Sequence, residues 1–219
     1  MSGHSERAER ARARDLVAMK IVVSGGFGVG KTTFVGAISE IEPLVTESGM
    51  TEAALGVDDT AGLRGDKTTT TVALDFGRIT LDDTLILYLF GTPGQDRFAF
   101  LWDDLVNGAL GAVVLVDTDR IDDCYPVVDF FEARGLPFLL AVNQFEESRR
   151  FDLDEVREAI VADAAVPLVE CDARRRESVK AALVILLEHI LVGRRAAQAT
   201  GPTHAGARAS PDVPAFPTR

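Results

Sequence analysis

The chain has few of the side chains that cross-link small secreted proteins or bind metals. Its 219 residues include two cysteines, three histidines, one tryptophan and two tyrosines. Cys124 and Cys171 stand far apart, without the C-x-x-C spacing of zinc or redox sites. We therefore predict two reduced thiols in the interior and neither a disulfide nor a metal centre built on cysteine or histidine.

Long apolar runs are also missing. Residues 181–192 are the most apolar stretch, and Glu188 and His189 interrupt it, so it falls short of the roughly 20 residues that cross a bilayer. The arginine-rich N-terminus has no apolar core like that of a secretory signal. These absences argue against a membrane-spanning or secreted protein and predict a cytoplasmic one.

Positive charge is scarce except at the two ends. The formal net charge is −11, yet residues 1–18 carry +1 and residues 193–219 carry +3, which leaves −15 on the residues between them. An acidic body of this kind argues against a nucleic-acid-binding surface. A polyanionic ligand would need a localised cationic site.

Residues 25–32, GGFGVGKT, supply such a site, because they match the phosphate-binding pattern G-x-x-x-x-G-K-[ST]. An apolar strand candidate precedes them and a helix candidate follows, so backbone N–H groups and a helix N-terminus would face the phosphates. Lys31 is predicted to reach the terminal phosphates, and the Thr32 hydroxyl to bind Mg²⁺. The predicted nucleotide contacts in this segment are Gly25, Gly26, Phe27, Gly28, Val29, Gly30, Lys31, Thr32 and Thr33.

Strand and helix patterns alternate along the rest of the chain. Strands are predicted at 19–24, 72–81, 85–90, 111–116, 137–143 and 166–170, and helices at 33–39, 98–106, 125–134, 153–162 and 179–192. This order predicts an α/β P-loop NTPase fold: a mostly parallel central sheet with one antiparallel hairpin strand and helices on both faces. Residues 40–67 show no stable period, which is typical of a functional or mobile connection.

Three units follow from the same reading. Residues 1–18 are predicted to be a mobile arginine-rich arm, residues 19–192 the folded domain, and residues 193–219 a disordered tail. The phosphate-binding segment, Asp117, Asn143 and Glu170 all come at the carboxyl ends of predicted strands, where parallel sheets bind ligands.

Further segments resemble the motifs of Ras-like small GTPases, in the right order. Residues 71–76, TVALDF, resemble the end of switch I and the strand after it, which implies that Thr71 contacts Mg²⁺ and the γ-phosphate. Residues 91–98, GTPGQDRF, resemble switch II. This implies that the Gly94 amide senses the γ-phosphate and that Gln95 orients the attacking water, with Lys31 stabilising the developing charge.

The base-binding motifs of that superfamily also have counterparts. Residues 143–146, NQFE, resemble the guanine-reading Asn-Lys-x-Asp sequence, and residues 170–174, ECDAR, resemble the loop that closes over the base. The implied base contacts are Asn143, Gln144, Glu146, Asp172, Ala173 and Arg174. The resemblance implies GTP and GDP as ligands and Mg²⁺ as cofactor.

Within the superfamily, residues 25–35, 39–44 and 67–77 resemble the ATP/GTP-binding proteins of actinobacterial conservon operons, which are related to the polarity GTPases of bacterial gliding motility. This resemblance implies a roadblock-type regulator and a sensor-kinase-like membrane protein as partners. Any membrane attachment would then be made through a partner.

Four departures from the Ras-like pattern bear on activity. Phe27 stands where Ras proteins keep a glycine that admits an external arginine, so we expect slow hydrolysis without ordinary arginine-finger activation. Gly91 replaces the switch II aspartate, which leaves Asp75 or Asp117 as candidate helpers for the metal. Glu146 replaces the guanine-binding aspartate, and Gln144 replaces the lysine beside it.

The sequence therefore predicts a GTP-binding switch with slow Mg²⁺-dependent hydrolysis. Two alternatives stay open: a nucleotide-dependent scaffold with negligible hydrolysis, favoured by Phe27 and Gly91, and an ATP-using P-loop protein, favoured by Gln144 and Glu146. Arg64 and Arg97 are candidates for an arginine supplied in cis to the reaction.

Overall fold

The computed structural model describes residues 16–42, 44–50, 70–94, 96–146 and 148–199. These residues form seven strands: β1 Val17–Gly25, β2 Leu44–Met50, β3 Thr70–Thr80, β4 Leu85–Gly91, β5 Gly111–Val116, β6 Phe138–Asn143 and β7 Leu168–Cys171. They also form five α-helices: α1 Lys31–Ile38, α2 Trp102–Val106, α3 Tyr125–Arg134, α4 Leu153–Ile160 and α5 Arg176–Ala199. Two 3-10 segments, Asp96–Leu101 and Thr118–Cys124, precede α2 and α3.

The strands form one sheet in the order β2-β3-β4-β1-β5-β6-β7. Only β3 pairs antiparallel with its neighbours, β2 and β4, while the other neighbouring pairs are parallel. All residues of β5 and β6 are buried, because a parallel strand covered on both faces needs apolar side chains in both directions. The predicted α/β P-loop NTPase fold is confirmed.

Alternate side chains of the central strands pack into two apolar cores, one on each face of the sheet. On one face, α1 and α5 pack on the sheet through residues such as Phe34, Val35 and Leu186. On the other face, α2, α3 and α4 pack through Trp102, Phe131 and Val156. Both faces are thus covered by helices, and the loops at the carboxyl ends of the parallel strands are left to form a site.

Local sequence explains where several helices begin and end. The Asp152 side chain accepts a hydrogen bond from the Asp154 N–H at 2.8 Å, and the Glu155 side chain accepts one from the Asp152 N–H at 3.2 Å, which starts α4 with a capping box. Helix α3 carries a proline in its first turn and ends at Gly135, whose φ is 59°.

Three details of the sequence prediction were wrong. Strand β2 lies within residues 40–67, where no element was predicted, because a polar edge strand gains its backbone pairing from β3 and shows no apolar period of its own. The predicted helix over 98–106 begins as the 3-10 segment Asp96–Leu101 and is α-helical only from Trp102.

The third correction concerns the ends of the folded domain. Val17 and Ala18, predicted as part of the arm, belong to β1. Helix α5 continues to Ala199, into the predicted tail, since extending a formed helix through an alanine-rich segment is far easier than starting one. Residues 1–15 and 200–219 lie outside the described residues, so the remaining parts of the arm and tail stay predictions.

Within the described ranges, no helix combines the length and the hydropathy needed to cross a membrane.

Val161 provides a test of backbone conformation at the end of α4. It is 85% exposed and has a φ of 57°, which is unfavourable for a β-branched residue by roughly 1–2 kcal/mol. We expect Val161→Gly to raise the free energy of unfolding by about 0.5–1 kcal/mol after the greater chain entropy of glycine is subtracted. Urea denaturation followed by circular dichroism measures the change.

Gly135 is the matched control, because it holds the same position at the end of α3, and a Cβ there would meet nothing within 4 Å. Gly135→Ala should therefore destabilise by about 1 kcal/mol through conformation alone. Equal stabilities of Val161→Gly and the parent protein would contradict the prediction.

Candidate nucleotide-binding site

The phosphate-binding loop connects the buried end of β1 to the start of α1. Gly30 precedes the helix with a φ of 103°, and a Cβ on it would lie 2.7 Å from the Asn143 amide nitrogen. Only glycine satisfies both constraints. The first turn, Lys31 to Thr33, has no side-chain cap and no acidic residue, so its N–H groups and the helix dipole remain available to an anion.

Lys31 is the buried cation of this loop. Its Nζ donates hydrogen bonds to the carbonyl oxygens of Gly25 at 2.8 Å and Gly26 at 2.7 Å. Burial lowers the pKa of Lys31 to about 8; the Asp75 carboxylate opposes this shift, and the positive charge of Arg120 adds to it. Burial of the charged ammonium away from water is thus unfavourable. A nearby phosphate oxygen would favour the charged form.

The segment after β4 lies directly on this loop. A Cβ on Gly94 would be 2.6 Å from Lys31 Nζ and 3.1 Å from the Gly26 carbonyl oxygen, so the Gly94 backbone is in close contact with both. Thr92, two residues before Gly94, is bonded to β1. Its N–H donates to the Val23 carbonyl at 2.9 Å, and its hydroxyl is hydrogen-bonded to the Ser24 hydroxyl at 2.9 Å. Sequence analysis missed the Ser24–Thr92 pair, which no motif marks.

Asp75 occupies the space that Gly91 leaves open. The Thr32 hydroxyl donates to Asp75 Oδ2 at 2.9 Å, and a Cβ on Gly91 would lie 2.8 Å from Asp75 Cβ. A carboxylate from β3 therefore reaches the loop where an aspartate on β4 would otherwise stand. Of the two helpers considered in the sequence, Asp75 is beside Thr32, whereas Asp117 bonds Asp119 and Arg120.

The Thr32 hydroxyl and the Asp75 carboxylate, 2.9 Å apart, are suitable ligands for Mg²⁺. This ion prefers oxygen ligands and usually keeps several coordination positions for water and phosphate oxygens. In the described part of the chain, no three His, Cys, Asp or Glu side chains cluster as a metal site of their own. The donor set thus fits a metal held jointly with a phosphate.

Asn143 joins the loops of the site. Its amide nitrogen donates to the Val29 carbonyl at 2.9 Å, and its amide oxygen accepts from the Ala173 N–H at 3.0 Å. The Gln144 N–H also donates to the Cys171 carbonyl at 2.8 Å. The loops after β6 and β7 are therefore tied to each other and to the phosphate loop.

The same two loops line a cleft that includes Gln144, Glu146, Asp172 and Arg174. Arg174 bonds Asp172 through two nitrogens, at 3.0 and 3.1 Å, and its Nη1 donates to Glu146 at 2.7 Å. The bonds from Arg174 lower the pKa of Asp172. Glu146, the counterpart of the guanine-binding aspartate, thus has a side chain that is 81% exposed and already paired with an arginine.

Arg120 is a further residue at the site that sequence analysis missed. It lies in the 3-10 segment after β5, and its Nη2 donates to the Phe27 carbonyl at 2.8 Å. The signal available in the sequence was its spacing from Asp117, since an i,i+3 pair beginning at a strand end faces the same rim as the P-loop.

The predicted site residues fall into two groups. The structure brings together the phosphate loop, Gly94, Asn143, Gln144, Glu146 and residues 172–174. Thr71 lies on β3, with its backbone paired to Gly49, at roughly 13 Å along the strand from Asp75. Its predicted metal contact stays a prediction. Gln95 and Arg64 lie outside the described residues, as does the side chain of Arg97.

Solved structures with related folds belong to GTPase domains. The G-domain of FeoB from Methanococcus jannaschii matches with a TM-score of 0.53 and 14% identity, over 80% of this chain and 99% of that one. The G domain of the T. maritima FeoB iron transporter matches with a TM-score of 0.53 and 18% identity, over 80% and 98%. At such identities these likenesses show the fold alone.

Sequence comparisons define the family. An uncharacterized protein of Methanocaldococcus jannaschii is 29% identical over 128 residues, which cover 58% of this chain and 70% of that protein. The family model described as conserved hypothetical ATP binding protein matches residues 23–193, well over half of the chain. The chain therefore belongs to this family and is a nucleotide-binding P-loop protein with the fold of GTPase domains.

Proposed function

We propose that the protein is a GTP-binding molecular switch that hydrolyses GTP slowly with Mg²⁺ and signals through partner proteins. The contact between Gly94 and Lys31 carries the proposal. Because Lys31 Nζ bonds the Gly25 and Gly26 carbonyls and lies against Gly94, a phosphate that attracts this ammonium must also alter the segment after β4. Such coupling between a terminal phosphate and a neighbouring segment is the basis of GTPase switching.

Each group of the loop has a defined task in binding the triphosphate. Loop amides and the first turn of α1 donate to phosphate oxygens, and Lys31 adds a charge-assisted bond to the terminal ones. By resemblance, Thr71 and the Gly94 amide contact the γ-phosphate, so that loss of this group releases residues 40–70 and 91–105.

Hydrolysis proceeds by attack of a water oxygen on the γ-phosphorus. The bond from this phosphorus to the β–γ bridging oxygen breaks, its electron pair stays on GDP, and the water proton leaves with the phosphate. Gln95 orients the water, and Lys31 with the loop amides stabilises negative charge as it develops.

Mg²⁺ is the proposed cofactor, and Thr32 and Asp75 are the residues that fit it best here. When bound, the metal neutralises charge on the β- and γ-phosphate oxygens. Asp75 compensates for the absence of a carboxylate at Gly91, either as a direct ligand or by orienting a bound water. Thr71 is the further ligand implied by resemblance, and since it lies roughly 13 Å along β3 from Asp75, it would reach the metal only if the start of β3 left its pairing with β2.

The conservon resemblance supplies the proposed partners. A roadblock-type protein would act as regulator, and a sensor-kinase-like membrane protein would recruit this otherwise cytoplasmic protein to the membrane. The conservon proteins and their gliding-motility relatives motivate this assignment.

ATP is the second candidate ligand. The ion pair between Glu146 and Arg174 favours it, because a carboxylate that is already paired accepts less readily from the N1–H and amino group of guanine. The family to which the chain belongs is also described as ATP binding. A third candidate function is a scaffold that binds nucleotide with negligible hydrolysis. Phe27, which is 62% exposed on the phosphate loop, favours it.

Competition of GTP and ATP against a fluorescent guanine nucleotide tests the proposal. We expect GTP to win by about tenfold or more, since a lost charged hydrogen bond in the base pocket costs roughly 1.5–3 kcal/mol. Glu146→Ala should remove most of that preference and leave ATP affinity nearly unchanged. Glu188→Ala, an exposed carboxylate on α5, is the matched control. Equal affinities for GTP and ATP in the parent protein would contradict a guanine-selective site, and tighter binding of ATP would select the ATP-using alternative.

Asp75→Asn tests the metal assignment. We expect it to weaken Mg²⁺-dependent nucleotide binding by about 10–100-fold, because the carboxylate beside Thr32 loses its charge. Nucleotide release is measured as Mg²⁺ is titrated. Asp104→Asn, on an exposed carboxylate of α2, should behave as the parent. If Asp117→Asn has the larger effect instead, the carboxylate was assigned to the wrong strand.

The pKa of Lys31 predicts proton uptake on binding. At about pH 8.5 a large fraction of Lys31 is neutral in the free protein, and the phosphates restore its charge. Calorimetric titration with GDP in buffers of different ionisation enthalpy should therefore show uptake of a substantial fraction of one proton. This uptake should shrink toward about pH 7. Identical heats in all buffers at the higher pH would refute the assignment.

A further inference from the structure

Arg120 reaches the phosphate loop from the segment that follows β5. Its Nη2 donates to the Phe27 carbonyl at 2.8 Å, next to the Gly25 and Gly26 carbonyls that accept from Lys31. Two cations thus bind three successive carbonyl groups of the loop. Burial is the main cause of the lowered pKa of Lys31, and the positive charge of Arg120 adds to it.

The guanidinium is held in position by two carboxylates, Asp117 and Asp123. Nε and Nη2 donate to Asp117 Oδ2 at 3.2 and 3.1 Å, and the Asp117 side chain is only 11% exposed. Asp123 Oδ2 lies 3.7 Å from Nη1. Asp117 is itself fixed, because its Oδ1 accepts from the Asp119 N–H at 3.1 Å. An arginine oriented in this way loses little rotamer freedom when it binds an anion.

Arg120 still has donors available for a phosphate. Its Nη1 makes only the looser 3.7 Å approach to Asp123 within the described residues, and its side chain is 46% exposed. A Cβ on Gly28 would lie 3.6 Å from Nη2. The guanidinium therefore borders the part of the loop that wraps the phosphates.

Phe27 gives this arrangement its significance. The residue is 62% exposed, and the resemblance to Ras-like proteins implies that its side chain crowds the approach by which an arginine of another protein would enter. Arg120 contacts the same residue through its backbone carbonyl, at 2.8 Å from Nη2. The chain thus has an arginine of its own beside the phosphate loop, where Phe27 would obstruct an arginine from another protein.

We propose that Arg120 is a catalytic residue that acts in cis, donating to the phosphates of the bound nucleotide as the γ-phosphoryl group is transferred to water. The assignment rests on the proposed nucleotide hydrolysis and names the arginine of that reaction. As the bond to the β–γ bridging oxygen breaks, negative charge collects on that oxygen and Arg120 neutralises it. Asp117 is the positioning residue that holds the guanidinium in place.

Single-turnover hydrolysis of the preferred nucleoside triphosphate by Arg120→Ala is the primary test. Arginines supplied in cis raise hydrolysis less than those of activating proteins, so we expect a rate about 10–100-fold below the parent. Arg120→Lys should recover only part of it, because an ammonium lacks the planar fork. Arg134→Ala, which removes an arginine paired with Asp103 at the far end of α3, should hydrolyse at the parent rate.

Two further measurements separate catalysis from a structural bond to Phe27. GDP affinity should stay within about threefold of the parent, because Arg120 acts mainly on charge that develops during transfer. Binding of aluminium fluoride to the GDP complex, which mimics the transferring phosphoryl group, should be lost in Arg120→Ala and retained in Arg134→Ala. Thermal unfolding and the Arg120→Lys variant guard against misfolding.

The outcomes are distinct. A parent protein that binds no nucleotide overturns the proposed function and the arginine assignment together. A parent that binds a triphosphate without hydrolysing it overturns the arginine assignment and the hydrolytic part of the proposed function, and selects the nucleotide-dependent scaffold. An Arg120→Ala variant that hydrolyses at the parent rate overturns the arginine assignment alone. A loss of GDP affinity as large as the loss of rate also overturns the arginine assignment, because Arg120 would then serve only to hold the phosphate loop in its conformation.

Discussion

A glycine-rich loop has almost no side chains with which to hold itself, so the phosphate-binding loop must be fixed by its neighbours. The Asn143 amide bonds Val29, Lys31 bonds Gly25 and Gly26, and Arg120 bonds Phe27. Every one of these bonds ends on a backbone carbonyl. The N–H groups of the loop are thereby left for an anion, and the site is organised before any ligand binds.

The bonding groups come from separate strands or from the segments that follow them, which is why the order of strands in the sheet matters to the chemistry. Asp117 and Arg120 follow β5, Asn143 is the last residue of β6, and Asp75 lies within β3. All four residues lie around the phosphate-binding loop. β3 runs opposite to its neighbours, so it can present a carboxylate next to Thr32 where β4 has only Gly91. The antiparallel strand thus restores a charge that the motif had lost.

The sequence predicted the central sheet well, because buried parallel strands such as β5 and β6 leave continuous apolar runs that little else produces. The glycines and Lys31 were predicted from the spacing of the phosphate-binding motif, and Asn143 from its resemblance to a guanine-reading motif, and their contacts with a nucleotide stay predictions. Strand β2 was missed because its partner supplies its stability. Arg120 was missed because its role depends on three-dimensional contact with Phe27, more than ninety positions earlier, and no local pattern records such a contact.

The cleft beside Glu146 and the surroundings of Phe27 have departed from the Ras-like pattern in different ways. At Phe27 an arginine, Arg120, is held beside the phosphate loop, where the proposed hydrolysis would use it. At the base end Glu146 is paired with Arg174, which is itself held by Asp172, and any base must compete with that pair. Under the proposed function, choice of base and rate of hydrolysis would therefore depend on separate clusters of this site. Substitutions at Glu146 should change the first without the second, whereas substitutions at Arg120 should do the reverse.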